Sequence, residues 1–235
     1  MKYRWLLRAL AVLIQVTGIL VLRPWVRLCF QMRVRRARGV PEGVCVFAAN
    51  HRSFADPSTI AMWHRRPLSF FARSSLWEVL PIRIILDIFV GIPVERENPG
   101  MSSMKGAIER LRAGIPVLVF PEGTRTRSGR LGPLRDGPAL FARRAGVPLV
   151  PVYLHRSEAM WPIGALFPRP WGARMEIRFG SPLIAPAGLD VRAQDAWVMR
   201  RLHLWMQAQE RALQGRPRAQ PNHTPSRQSA TLSPA

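Results

Sequence analysis

His51 and Asp56 stand five positions apart in Asn50–His51–Arg52–Ser53–Phe54–Ala55–Asp56, directly after the apolar run Val44–Ala49. An imidazole titrating near neutral pH is the side chain best suited to general-base work, and a nearby carboxylate fixes its tautomer. With a helix starting near Ser53, Asp56 lies about one turn on and its carboxylate can face back toward His51. Ser53 is a conceivable nucleophile. It reads better as the cap of that helix, with Asp56 as the reciprocal acid. No Gly-x-Ser-x-Gly elbow occurs. The chemistry expected is therefore direct attack by a substrate hydroxyl on an activated acyl carbonyl such as a thioester, with His51 taking the proton. Plain local hydrogen bonding at a helix start is the competing reading.

A second polar cluster, Phe120–Pro121–Glu122–Gly123–Thr124–Arg125, follows the apolar run Ile115–Phe120. Arg125 and Arg127 follow Glu122–Gly123–Thr124, and Arg96 ends another apolar stretch at Ile92–Pro93–Val94–Glu95–Arg96. A guanidinium fork matches phosphate oxygens two at a time, so these arginines are candidate anion clamps. Gly123 permits a tight turn that presents backbone N–H groups to an anion. Ordinary surface charge is the alternative for each arginine. No nucleotide P-loop is present.

The elements that must position these groups alternate. Val44–Ala49, Ser69–Ala72, Ile115–Phe120, Val147–Leu154 and Arg174–Phe179 read as strands. Ser53–Arg65, Ser102–Ala113, Pro138–Ala145 and Trp197–Gln209 read as helices, and Leu76–Phe89 as a helix-like stretch interrupted by Pro81. Continuously apolar strands between helices predict an α/β fold, a mostly parallel sheet flanked by helices on both faces.

The chain has 235 residues, 35 Lys+Arg against 14 Asp+Glu, and 8 Trp. A net charge of +21 attracts polyanions. Trp with Arg fits a membrane–water boundary. No zinc finger, RNP-like strand or basic recognition helix accompanies the charge, so nucleic acid is not the expected partner. Cys29 and Cys45 are expected to be free thiols in a reducing compartment.

Residues 1–38 form a hydrophobic and basic segment. Ala9–Leu22 is apolar apart from Gln15 and Thr17, and Arg33, Arg35, Arg36 and Arg38 make a polybasic patch after it. A short or tilted spanning helix, a helix lying in one leaflet, a cleaved signal peptide and a buried core helix remain open. Residues 39–213 are assigned to the catalytic domain and 214–235 to a disordered Pro/Ser/Gln/Arg tail.

Four segments together resemble the glycerolipid acyltransferases, and among them the bacterial 1-acyl-glycerol-3-phosphate acyltransferases. Asn50–Asp56 is similar to their Asn-His-x-Ser-x-x-Asp motif, and Gly91–Arg96 to a second motif with a phosphate-binding arginine. Phe120–Thr126 is similar to Phe-Pro-Glu-Gly-Thr-Arg-Ser, and Val147–Pro151 to an apolar stretch ending in proline. The resemblance implies His51 and Asp56 as the catalytic pair. It implies Arg96, Glu122, Gly123, Thr124 and Arg125 as substrate-binding residues. It also implies acyl transfer from an acyl carrier protein or coenzyme A thioester to the sn-2 hydroxyl of 1-acyl-glycerol-3-phosphate, at the cytoplasmic face of an anionic membrane, with no metal or other cofactor. Gly91 lies five residues before Arg96, where the related glycine usually lies six before. Enzymes acting on lyso-ornithine lipid and other lysolipids share the four motifs, so that acceptor class is the alternative.

Overall fold

Every residue of the strand β2, Val46–Ala49, is buried. A strand apolar on both sides is stable only where a sheet is covered on both faces. The computed structural model, which describes residues 13, 17, 20, 21, 23–64, 66–88, 91–95, 101–126, 130–165, 167–171 and 174–214, places β2 at the centre of such a sheet. Side chains of Pro81, Ile85 and Ile88 are not among those described.

The seven strands are β1 (Arg33–Arg36), β2, β3 (Ser69–Arg73), β4 (Ile92–Val94), β5 (Val117–Val119), β6 (Leu149–His155) and β7 (Glu176–Phe179). Their order is β1-β7-β6-β2-β5-β3-β4, and only the β6–β7 pair is antiparallel. The mostly parallel sheet agrees with the sequence expectation. β2 pairs with β5 on one side (Val46↔Val117) and with β6 on the other (Val46↔Leu149).

Alternation along the strands divides the core. Phe47, Ala49, Leu118, Val150 and Val152 face one layer. That layer holds the end of α1 (helical through 23–29), α2 (Asp56–Ala61) and α3 (Leu80–Ile88). Val46, Ala48, Val117, Val119 and Leu149 face α4 (Met101–Arg112), α5 (Gly137–Ala145) and α7 (Val191–Gln214). A further short helix, α6 (Ser157–Met160), follows β6.

Several elements depart from expectation for identifiable reasons. Arg33–Arg36, read as part of a polybasic patch, is the edge strand β1, paired in parallel with β7. Arg35 Nε lies 3.0 Å from Glu176 Oε1, and Arg36 Nη1 donates to Trp63 O at 2.9 Å. Charged side chains on an outer strand blunt its tendency to pair with another chain. Pro81 does not break a helix; it sits in the first turn of α3, where a missing N–H costs nothing, and Ser74–Glu78 before it is a 3-10 turn. α7 is 24 residues long and extends past both ends of the expected Trp197–Gln209. Among the described residues no helix is long and apolar enough to cross a membrane. Most of Ala9–Leu22, and the chain after Gln214, lie outside the described residues.

Candidate active site

In an open parallel sheet, ligands bind where chains leave the carboxyl ends of the strands. The segments leaving β2 and β5 are neighbours there, because those strands are paired. They carry the two polar clusters of the sequence.

Asn50 manages the exit from β2. Its Nδ2 donates to Leu154 O at 2.9 Å, and its Oδ1 accepts from Leu154 N at 2.7 Å. The side-chain amide thus substitutes for one more ladder step between β2 and β6 and frees the main chain to turn. His51 follows. Its Nδ1 lies 2.9 Å from Asp56 Oδ2. The same oxygen accepts from Arg52 N at 2.7 Å and Ser53 N at 2.8 Å. Three donors converge on one oxygen of a carboxyl group that is fully buried. An acceptor so committed holds Nδ1 in the protonated tautomer and leaves Nε2 with a free lone pair. The imidazole is also stacked on Phe120, with centroids 3.9 Å apart. Its side chain is 19% exposed, enough for a substrate to reach one edge.

The expected cap is corrected here. α2 begins at Asp56, with Ala55 at the N-cap and no side-chain cap bond. Ser53 Oγ instead accepts from Ala55 N at 3.3 Å and donates to Trp161 O at 3.1 Å. The reason is that Asp56 uses its carboxylate on the Arg52 and Ser53 amides, so the tight turn precedes the helix. With its hydroxyl engaged and fully buried, Ser53 is not placed as a nucleophile.

The segment after β5 is tied to the base residue through main-chain groups. Glu122 Oε1 accepts from His51 N at 2.9 Å, and its Oε2 accepts from Gly132 N at 3.0 Å. Thr126 N donates to His51 O at 2.9 Å. Gly123 has φ +70°, a left-handed conformation that disfavours any side chain, and its N–H donates to Phe120 O at 3.0 Å. Gly123 and Thr124 are exposed and Arg125 is half-buried. His51, Asp56, Glu122, Gly123, Thr124 and Arg125 are therefore brought to one place. Arg96 and Arg127 lie outside the described residues. Val147–Pro151, the fourth similar segment, leads into β6 beside β2, with Pro151 opposite Ala48.

Sequence reading missed the support behind the histidine. Arg52, 5% exposed, donates from Nη2 to Tyr153 Oη at 2.9 Å and to Glu210 Oε1 at 3.4 Å. Glu210, near the end of α7, also accepts from Leu131 N at 2.9 Å. Burial pushes the Tyr153 hydroxyl up to about 12, with Arg52 opposing, so it stays a neutral donor and acceptor. Burial, with Arg52 and Arg156 adding to it, pushes His155 down to about 4. Among the described residues no group of three or more His, Cys, Asp and Glu side chains could hold a metal ion. Cys29 and Cys45 are buried and free, and burial raises the Cys45 thiol to about 12.

Comparison with known proteins bears on the family and the fold. A family model described as Acyltransferase matches residues 31–155. A 1-acyl-sn-glycerol-3-phosphate acyltransferase of Pseudomonas aeruginosa is 30% identical over 55% of this chain and 51% of its own length. One of Bacillus subtilis is 35% identical over 45% of this chain and 53% of its own. A chloroplastic one of Brassica napus is 31% identical over 52% of this chain and 36% of its own. The matching segment thus spans between about a third and a half of these relatives. The crystal structure of the 1-acyl-sn-glycerophosphate acyltransferase PlsC from Thermotoga maritima shares the fold, with a TM-score of 0.63 over 89% of this chain and 81% of that one at 19% identity. The matched region begins in the turn before β1 and ends with β6, taking in every residue of the His51 and Glu122 clusters, and this chain belongs to the acyltransferase family.

Proposed function

We propose that the protein transfers a fatty acyl group from an acyl thioester to the sn-2 hydroxyl of 1-acyl-glycerol-3-phosphate, giving phosphatidic acid. The observation that carries this reading is the His51–Asp56 couple, with its free Nε2 facing away from the carboxylate beside the Glu122–Arg125 turn. The acceptor hydroxyl loses its proton to His51 Nε2 as its oxygen attacks the thioester carbonyl carbon. The tetrahedral intermediate collapses by breaking the C–S bond, and the thiolate leaves with the proton that the imidazolium returns. Asp56 stabilises the imidazolium through the Nδ1 hydrogen bond and does not itself move a proton. Arg96 and Arg125 are assigned to the acceptor's phosphate. Gly123 and Thr124 are assigned to its approach path, and Glu122 to holding the turn against the His51 backbone.

An acyl carrier protein or coenzyme A supplies the thioester, and no resident cofactor is required by these steps. The acceptor is a lipid, so the protein works on an anionic membrane, at its cytoplasmic face. Support for that location comes from the net charge of +21, the apolar run Ala9–Leu22, and exposed Leu20, Val21, Trp25 and Leu28 in the helical N-terminal segment.

Purified full-length protein assayed with lysophosphatidate and with lyso-ornithine lipid, each with both thioesters, tests the reading. Phosphatidate formation with either donor is the expected result. Turnover of lyso-ornithine lipid alone would keep the acyl-transfer chemistry and replace the acceptor.

A further inference from the structure

The loop that returns from the Glu122–Arg125 turn toward α5 is fastened to the site at three main-chain points. Leu131 N donates to Glu210 Oε1 at 2.9 Å, Gly132 N to Glu122 Oε2 at 3.0 Å, and Arg135 N to Pro121 O at 2.9 Å. Both carboxylates reach across to the His51 segment as well, Glu122 to the His51 amide and Glu210 to the Arg52 guanidinium. Two acidic side chains thus pin one loop to the catalytic turn.

Held to the turn in this way, through its backbone N–H, is Arg135. Its guanidinium occupies the room that a side chain at position 123 would need: a Cβ on Gly123 would stand 3.2 Å from Arg135 Cζ and 3.3 Å from its Nε. Gly123 is therefore constrained twice, by its φ of +70° and by this neighbour. Among the described residues no carboxylate lies within ion-pair distance of Arg135, and the residue is exposed. Glu122, the nearest acid of the turn, has an oxygen engaged by each of two backbone N–H groups. The Glu-Gly-Thr-Arg turn thus carries a positioned, unneutralised guanidinium that lies ten residues beyond Arg125 and outside all four motifs of the sequence.

We propose that Arg135 is a headgroup-binding residue, donating to the anionic phosphomonoester of the acceptor from its place over Gly123. The proposal rests on the acceptor reading above and deepens it. A phosphomonoester near neutral pH carries roughly −1.5 to −2 charges and three acceptor oxygens, each with more than one lone pair, so it can engage a further fork beside Arg96 and Arg125. A zwitterionic headgroup places a weaker demand on a further cation. Arg135 accordingly discriminates in favour of phosphate-bearing lysolipids.

The experiment is steady-state kinetics of the full chain with lysophosphatidate at saturating thioester, for the wild type, Arg135→Gln and Arg135→Lys, with a thermal melt of each. Loss of binding alone raises KM and leaves kcat in place. Arg135→Gln is expected to raise KM for lysophosphatidate roughly tenfold, with kcat within about twofold, an unchanged melting temperature, and partial recovery in Arg135→Lys. A KM within about twofold of wild type in Arg135→Gln, or a fall in kcat at constant KM, overturns the proposal. So does a loss that follows a lowered melting temperature and is equal in the Gln and Lys variants. The wild-type arm separates the two levels of inference. Wild type that turns over lyso-ornithine lipid and not lysophosphatidate defeats the acceptor reading, and this proposal with it, before any variant is compared.

Discussion

The turns leaving β2 and β5 meet at the same end of the sheet but are built in opposite ways. After β2, Asn50, Arg52, Ser53 and Asp56 are all buried, and each has hydrogen-bond partners within the protein. After β5, Pro121 and Glu122 are buried, and the chain runs out to exposed Gly123 and Thr124 and half-buried Arg125. The first turn fixes an imidazole to a carboxylate with the geometry already set before substrate arrives. The second leaves the exposed Gly123–Thr124 stretch and a half-buried Arg125, where the proposed reading puts the acceptor's phosphate. A base must be aimed in advance because misplacement of the reacting atoms costs rate directly. A charged headgroup can supply its own partners on arrival. Changes in the β2 turn should therefore lower kcat, and changes in the β5 turn should act mainly on KM.

The largest effect expected is at Asp56. Asp56→Asn keeps an oxygen where the His51 Nδ1, Arg52 N and Ser53 N donors converge but removes the negative charge of the carboxylate. The imidazolium formed on proton abstraction then loses its counter-charge, and kcat should fall by about 10³-fold with little change in KM, read from initial rates. A KM effect alone would erase the proposed division between the turns. Glu122→Ala comes next, because it frees both the His51 amide and the Gly132 amide. A combined loss in kcat/KM of about 10²-fold is expected, shared between the two constants, since this residue belongs to both turns.

Asn50→Ala tests the scaffold. It strands the buried N–H and C=O of Leu154, which should cost about 2 kcal/mol of stability or somewhat more, measured by denaturant unfolding. A neutral result would mean that the amide bridge is not what bends the chain out of β2. The smallest effect is pH-dependent stability. His155 is lowered to about 4 and His64 is lowered as well, both chiefly by burial, so the unfolded chain binds protons more readily than the folded one below about pH 6.5. Their contribution is fully present above that pH and is lost as pH falls toward 4, so the melting temperature should drop across this window. His155→Gln should flatten part of the slope.

Much of the site was legible because its chemistry is local in sequence. His51 and Asp56 lie within one turn of chain, so residue type and spacing carried their assignment, and Glu122–Arg125 is contiguous, so its resemblance to a family motif could be read at a glance. Strand centres were legible for a similar reason, since Val46–Ala49 and Leu149–Leu154 are apolar on both faces. Ser53 was misread because propensity rules see a serine before a helix, whereas the Asp56 carboxylate takes the Arg52 and Ser53 amides and delays the helix to residue 56. β1 was hidden by its arginines, whose charge resembles a surface patch while their backbone completes the sheet. Glu210 could not have been found at all: it reaches Arg52 across 158 positions, from a helix whose pattern shows only amphipathicity. Long-range hydrogen bonds leave no periodic trace.

The central claim is that the His51 Nε2 accepts the acceptor's hydroxyl proton. Its most direct test is phosphatidate formation from labelled lysophosphatidate and an acyl thioester by His51→Ala, compared with wild type at equal folded concentration and equal membrane binding. The account predicts a fall in kcat of about 10³-fold or more, with KM for lysophosphatidate close to wild type. Turnover in His51→Ala within about tenfold of wild type would contradict it and assign the proton to another group.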